Sequence, residues 1–176
     1  MYSVPVIQQI YDGHQFRSRL ESRYAFFFNV LKIPYKYEPE LFEFPLSQNS
    51  PLLSSHPSKT IKYEPDFWLP TLNCWVEVKP KYPKPIELVK AALLAIKTQK
   101  LVYITWNPKK MQMIGFLPNE NNITFLINPT FKKCSIETCG DIAVVVKYGR
   151  CDCNLYSCNH PELVRARRLC VEKKFY

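Results

Sequence analysis

Glycine is nearly missing from this chain, with 4 residues in 176 against 15 prolines. Many turns must then rest on proline and asparagine rather than on glycine's freedom at positive φ. Long apolar runs are missing too: none approaches the roughly 20 residues a helix needs to cross a bilayer, so no membrane partner is expected. Met1 to Ile10 has neither a basic start nor a long apolar stretch, and a secretory signal peptide is not expected. There is no internal repeat and no low-complexity tract. The cysteines number 7, an odd count, and are bunched late in the chain. That argues against a disulfide framework and for reduced thiols or a metal site. The expected location is intracellular, in the cytoplasm or the nucleus.

Acidic residues are the last shortage. Asp and Glu total 15 against 24 Lys and Arg, a formal charge of +9. The excess is clustered. Lys79, Lys81, Lys84, Lys90, Lys97, Lys100, Lys109 and Lys110 stand against a single acid, Glu87. Beyond Lys147 come Arg150, Arg165, Arg167, Arg168, Lys173 and Lys174. A clustered basic excess suits a polyanion such as nucleic acid. Apolar residues make up 47% of the chain and aromatics 14%, enough to build a packed core without disulfide support.

The pattern of apolar residues gives the element order. Residues 17–31 read as a helix, with Leu20, Tyr24, Phe27, Phe28 and Leu31 on one face and Pro34 preventing its continuation. Tyr35 to Phe44 reads as short extended pieces broken at Pro39. Residues 45–60 are rich in Ser and Pro and read as a loop. Tyr63 to Leu69 and Cys74 to Val78 have strand character, joined by a hairpin-length loop at 70–73. A second helix is predicted over Ile86 to Lys97, a strand over Leu101 to Thr105, and a later hairpin from Met111–Phe116 and Ile123–Ile127. A further strand at Ile142–Tyr148 and a terminal helix from Pro161 to Lys173 complete the reading. This order predicts an α/β or α+β fold with a mixed sheet. Residues 1–130 are expected to form the core, and 131–176 a Cys-rich, basic extension packed on it.

The segment YEPDFWLPTLNCWVEVKP, residues 63–80, carries the chemistry. Glu77 and Lys79 are two apart, so on a strand they share a face. A symmetric loop at 70–73 sets Asp66 opposite Glu77, with β-carbons about 4.5–5.5 Å apart. Two facing carboxylates repel, and a hard divalent cation with oxygen ligands offsets the repulsion. Lys79 adds a positive charge beside them. Its ordinary pKa of about 10.4 keeps it an ammonium, a stabiliser of a developing anion rather than a base. The plainer alternative is a surface hairpin whose acids make ordinary salt bridges with Lys79.

Pro65-Asp66 followed by Glu77-Val78-Lys79 resembles the PD-(D/E)XK signature of restriction-endonuclease-like nucleases. The surrounding stretches FRSRLESRYAFFFNVL, YKYEPE, YEPDFWLP and CWVEVKP are together similar to small nuclease-like proteins of phages and other mobile elements. The likeness runs from about Phe16 to Trp106. It implies a restriction-endonuclease-like core, a mixed central sheet flanked by helices. It also implies metal-dependent hydrolysis of DNA phosphodiester bonds in a phage, virus or mobile-element setting. Asp66 and Glu77 would hold Mg²⁺ or Mn²⁺, with the Val78 carbonyl as a further ligand and Glu21, on the preceding helix, completing the shell. Lys79 would assist. Arg17, Arg19 and Arg23 flank Glu21 and could hold phosphates, or could form a solvated helix face. Lys90, Lys97 and Gln99 are candidates for a polar helper on the second helix. DNA is the expected partner, with a homodimer left open.

RCDCNLYSCNH offers Cys151, Cys153, Cys158 and His160 as a tetrahedral zinc set, or as independent thiols and a histidine. Arg165 and Arg168, three apart on the terminal helix, are expected to share a side and contact nucleic acid, whereas Arg167 points elsewhere. The competing function is a non-catalytic nucleic-acid-binding protein that keeps the nuclease fold and a zinc-stabilised basic end.

Overall fold

The computed structural model describes residues 8–46, 59–107, 110–120, 122–127, 129–134, 142–145, 156–157 and 160–173. In chain order these form β1 (Gln9–Tyr11), β2 (His14–Phe16), α1 (Arg19–Val30), β3 (Lys36–Tyr37), β4 (Phe42–Pro45) and β5 (Thr60–Tyr63). There follow β6 (Phe67–Leu69), a 3₁₀ turn (Pro70–Leu72), β7 (Cys74–Lys79), α2 (Pro85–Thr98), β8 (Leu101–Trp106), β9 (Gln112–Asn119) and β10 (Asn122–Ile127). The chain then adds β11 (Thr130–Cys134), β12 (Ile142–Val145), β13 (Tyr156–Ser157) and α3 (Pro161–Glu172).

The central sheet has six strands in the order β10-β9-β8-β7-β6-β3. Only β7 and β8 run parallel, because α2 carries the chain back between them; the other neighbours are antiparallel. The fold is therefore mixed α+β. No described helix is long and apolar enough to cross a membrane.

Alternation along β7 sorts its side chains into two layers. Cys74, Val76 and Val78 face α1 and join a cluster with Phe27, Phe28, Phe67, Tyr103 and Met113. Trp75 faces the α2 side with Ala91, Leu94, Val102, Ile104 and Phe116. Fully burying such side chains stabilises by about 1.5–3 kcal/mol each. The β4–β5 hairpin packs on the α2 side through Phe42, Phe44, Ile61 and Tyr63. The late segment is tied to the first layer: Phe131, Leu163, Ala166 and Cys170 are all buried in the α1 cluster, and α3 lies along α1, where the Cys170 thiol donates to the Arg23 carbonyl at 3.3 Å.

Two details follow from the shortage of glycine. Left-handed backbone is taken by Glu38 (φ 42°), Asn73 (φ 50°), Gln99 (φ 51°) and Asn107 (φ 52°), where glycine would cost less strain. Gly115 is retained for lack of space: it pairs with Tyr103 across β8 and β9, and a β-carbon there would sit 2.8 Å from Tyr103 Cε1. Gly115→Ala is expected to lower stability by about 1–3 kcal/mol through overpacking, read as a reduced Tm in thermal unfolding. An unchanged Tm would show that Tyr103 can retreat.

The sequence reading of Tyr63–Leu69 as one strand is corrected. The chain breaks at Glu64-Pro65-Asp66: β5 pairs with β4 in a separate hairpin, and β6 joins the central sheet. Pro65 has no N–H to give to a ladder, and the break frees Asp66 from strand geometry.

Candidate active site

The β6–β7 register decides what Asp66 meets. Phe67 pairs with Val76, Trp68 with Trp75 and Leu69 with Cys74, around the 3₁₀ turn closed by Asn73. This is the register of a symmetric loop at 70–73, and its continuation places Asp66 beside Glu77. The Asp66 N–H donates to Glu77 Oε2 at 3.3 Å, and the Val78 N–H donates to Asp66 Oδ2 at 2.7 Å. The Asp66 carboxylate thus takes the place of a strand partner.

Glu77 is only 5% exposed and Asp66 4%, so each needs polar partners. Glu77 Oε1 pairs with the Lys79 ammonium at 2.5 Å, and Oε2 accepts from the Tyr63 hydroxyl at 3.1 Å. Lys79 also faces Glu87 on the first turn of α2 at 3.6 Å. Burial alone would lower the Lys79 pKa, but Glu77, Asp66 and Glu87 outweigh it and hold the group above its ordinary value. It is a fixed cation, as the sequence implied.

Glu21 enters from the first turn of α1. The N-cap Ser18 accepts from the Glu21 N–H at 3.2 Å, and its hydroxyl donates to Glu21 Oε1 at 2.6 Å. The Tyr37 hydroxyl donates to Glu21 Oε2 at 2.6 Å, and the Arg17 N–H donates to the same oxygen at 3.1 Å. Glu21 is a capping residue turned inward, 8% exposed. Its carboxylate, with those of Asp66 and Glu38, forms a group whose oxygens lie within 4.8 Å of one another.

Glu38 is the member sequence reasoning missed. It follows β3 in left-handed backbone, and its N–H donates to the Asp66 carbonyl at 2.9 Å. The Arg17 guanidinium bridges the acids. It contacts Glu38 directly, and lies 3.6 Å from both Glu64 and Asp66. A signal was present: the tripeptide Tyr-Glu-Pro occurs at 37–39 and again at 63–65. In both copies the tyrosine donates to a buried carboxylate, Glu21 or Glu77, and the glutamate lies beside Arg17.

The electrostatics of the cluster are unbalanced. Among the described residues, Glu21, Glu38, Asp66 and Glu77 share the close cations Arg17 and Lys79 with Glu64 and Glu87, so carboxyl groups outnumber cations. Burial, then Glu77 and Glu21, drive the Asp66 carboxyl well above its ordinary range against the help of the Val78 N–H and Lys79. Burial likewise raises Glu38, with Glu64 and Glu21 adding repulsion and Tyr37 and Arg17 opposing it. The donors are all oxygens and carboxyl groups are in excess, so the set fits Mg²⁺ or Mn²⁺.

Glu21, Asp66 and Glu77 line an open cleft of about 420 Å³ with Arg17, Val78, Lys79, Glu87 and Lys90 among its walls. Of the three helper candidates on the second helix, only Lys90 reaches it. Lys97 lies over the Phe42 and Phe44 rings and donates to the Glu43 carbonyl, and Gln99 donates to Ile96 and Glu120 carbonyls.

The flanking arginines are not all brought to the cleft. Arg19 is exposed at the start of α1, and Arg23 is half-buried on the α3 side. Arg165 lines a different cavity with Val30, Leu31 and Thr71, at the far end of α1 from Glu21. Arg168 is exposed, and Arg167 donates to the Phe131 carbonyl at 3.3 Å, anchoring α3 to β11. His160 caps α3, its Nδ1 accepting from the Glu162 N–H at 3.3 Å. Cys151, Cys153 and Cys158 lie outside the described residues.

No protein-family model matches the chain, and no curated protein sequence matches it.

Proposed function

We propose that this protein is a divalent-metal-dependent endonuclease that hydrolyses phosphodiester bonds of DNA on a restriction-endonuclease-like core. One observation carries the reading: the carboxylates of Glu21, Glu38 and Asp66 converge within 4.8 Å, directly beside a Glu77–Lys79 pair on the central strand. Binding alone gives no reason to crowd buried acids where a phosphate must approach.

Asp66, Glu21 and Glu38 would hold the ion, with Glu77 next to them. Bound Mg²⁺ or Mn²⁺ supplies a water of lowered pKa and stabilises charge on the scissile phosphate. Glu77 and Tyr63 hold their part of the site rigid. Lys79, protonated throughout, offers its charge to the oxyanion that develops. Lys90 and the half-exposed Arg17 give the cleft two further cations for backbone phosphates.

A second reading is favoured by the Lys79–Glu77 and Arg17–Glu38 pairs: an internally neutralised cluster in a protein that binds nucleic acid without cutting it. Incubation with supercoiled plasmid separates the two. Cleavage is expected with Mg²⁺ or Mn²⁺ and none with EDTA. A gel shift with neither nicking nor linearisation under either metal would favour the non-cutting binder.

A further inference from the structure

The segment after Lys79 reaches the cluster only through the Lys84 N–H, which donates to Glu87 at 2.6 Å, and its construction is unusual. It reads Pro80-Lys81-Tyr82-Pro83-Lys84-Pro85, and the last proline opens α2. Three prolines fix φ at half of these positions, so the segment is stiff. It presents Tyr82 to solvent with 60% of its surface open. Tyr82 and Trp106 form a T-shaped pair, with centroids 5.2 Å apart and planes at 79°. Trp106 is the register partner of Lys79 across the parallel β7–β8 pair. Paired residues of neighbouring strands project to the same face, so Trp106 shares the face of Glu77 and Lys79. Lys81 and Lys84 are exposed on either side of Tyr82.

A tyrosine serving only as packing for Trp106 would be covered by it. An open ring on a stiff, lysine-flanked loop, one strand from the acid cluster, has the chemistry of a nucleobase platform: aromatic surface for the base and cations for its phosphates. Inside a continuous duplex both faces of every base are already stacked. Such a ring gains only from a base with a free face.

We propose that Tyr82, backed by Trp106, stacks on an unpaired DNA base next to the scissile phosphate, so that the preferred substrate carries a single-stranded or flap segment. This rests on the nuclease reading and names its substrate class. Lys81 and Lys84 hold the phosphates that flank the stacked base, and Lys79 lies toward the cut.

The test is a binding comparison in EDTA, so that cleavage does not intervene. Wild type, Tyr82→Ala and Tyr82→Phe are titrated against a 5′-flap DNA, a 3′-flap DNA and a duplex closed at both ends by hairpins. Tyr82→Ala is expected to weaken binding of at least one flap DNA by about 5- to 150-fold, the loss of one base–aromatic stack. The closed duplex should change by less than about twofold, and Tyr82→Phe, which keeps the ring, should behave as wild type. Equal losses on flap and closed duplex, or no loss on either flap, would overturn the platform. Metal-dependent cleavage of plasmid by wild type and its absence in Asp66→Ala keep the nuclease reading standing in that event. If wild type binds none of the three DNAs, both fall.

Discussion

Asp66→Ala is expected to reduce metal-dependent DNA cleavage by on the order of 10³-fold or more, since the metal's charge stabilisation amounts to several kcal/mol. DNA affinity in EDTA should be unchanged or slightly higher, because a negative charge near the phosphate is gone. Glu38→Gln should also lose activity, by on the order of 10- to 100-fold, if Glu38 shares the metal as its position beside Asp66 implies. Lys79→Met should lose about 10²–10³-fold, the cost of removing one fixed stabiliser of the developing charge. Alanine at 66 also strands the Val78 N–H that Asp66 accepts from, at about 1–3 kcal/mol. Asp66→Asn keeps an acceptor there and is the control for folding. Wild-type rates in both Asp66 variants would sink the site.

The second large effect is on stability without metal. Asp66 has its folded pKa well above the ordinary 3.8 through burial and the nearness of Glu77 and Glu21. The folded state therefore holds a proton that the unfolded chain gives up. The stability this contributes is complete below about pH 4, and is lost as pH rises through the raised pKa. Asp66→Asn removes that group from the titration. In EDTA at pH 8 the variant is expected to be more stable than wild type by about 1–3 kcal/mol, at about 2–4 °C of Tm per kcal/mol for a chain of this size. The advantage should vanish toward pH 4. Added Mn²⁺ should raise the Tm of wild type far more than that of the variant, by linkage to binding. A variant less stable than wild type in EDTA at pH 8 would show that Arg17 and Lys79 already neutralise the cluster.

Local patterns determined a good deal of this protein. The period of α1, the proline at the start of α2 and the alternation of β7 each depend on neighbours a few residues away, and each was legible in the sequence. So was the register that puts Asp66 beside Glu77, because a symmetric loop leaves a hairpin one way to pair. The β1–β2 hairpin was legible in principle. It turns at Asp12-Gly13, both at positive φ, a strong short-range hairpin signal. Tertiary structure alone decided the rest. Glu38 joins Asp66 because β3 pairs with β6 across an intervening hairpin, a contact that no periodicity shows and that only the repeated Tyr-Glu-Pro hinted at. Spacing set Arg165 and Arg168 on one side of α3 and Arg167 on another, but not what either side faces. Packing of α3 along α1 turns Arg167 inward to the Phe131 carbonyl and leaves Arg165 at the end of α1 remote from the acids. Sequence periodicity fixes which residues share a face; where that face points is set by burial against elements distant in the chain.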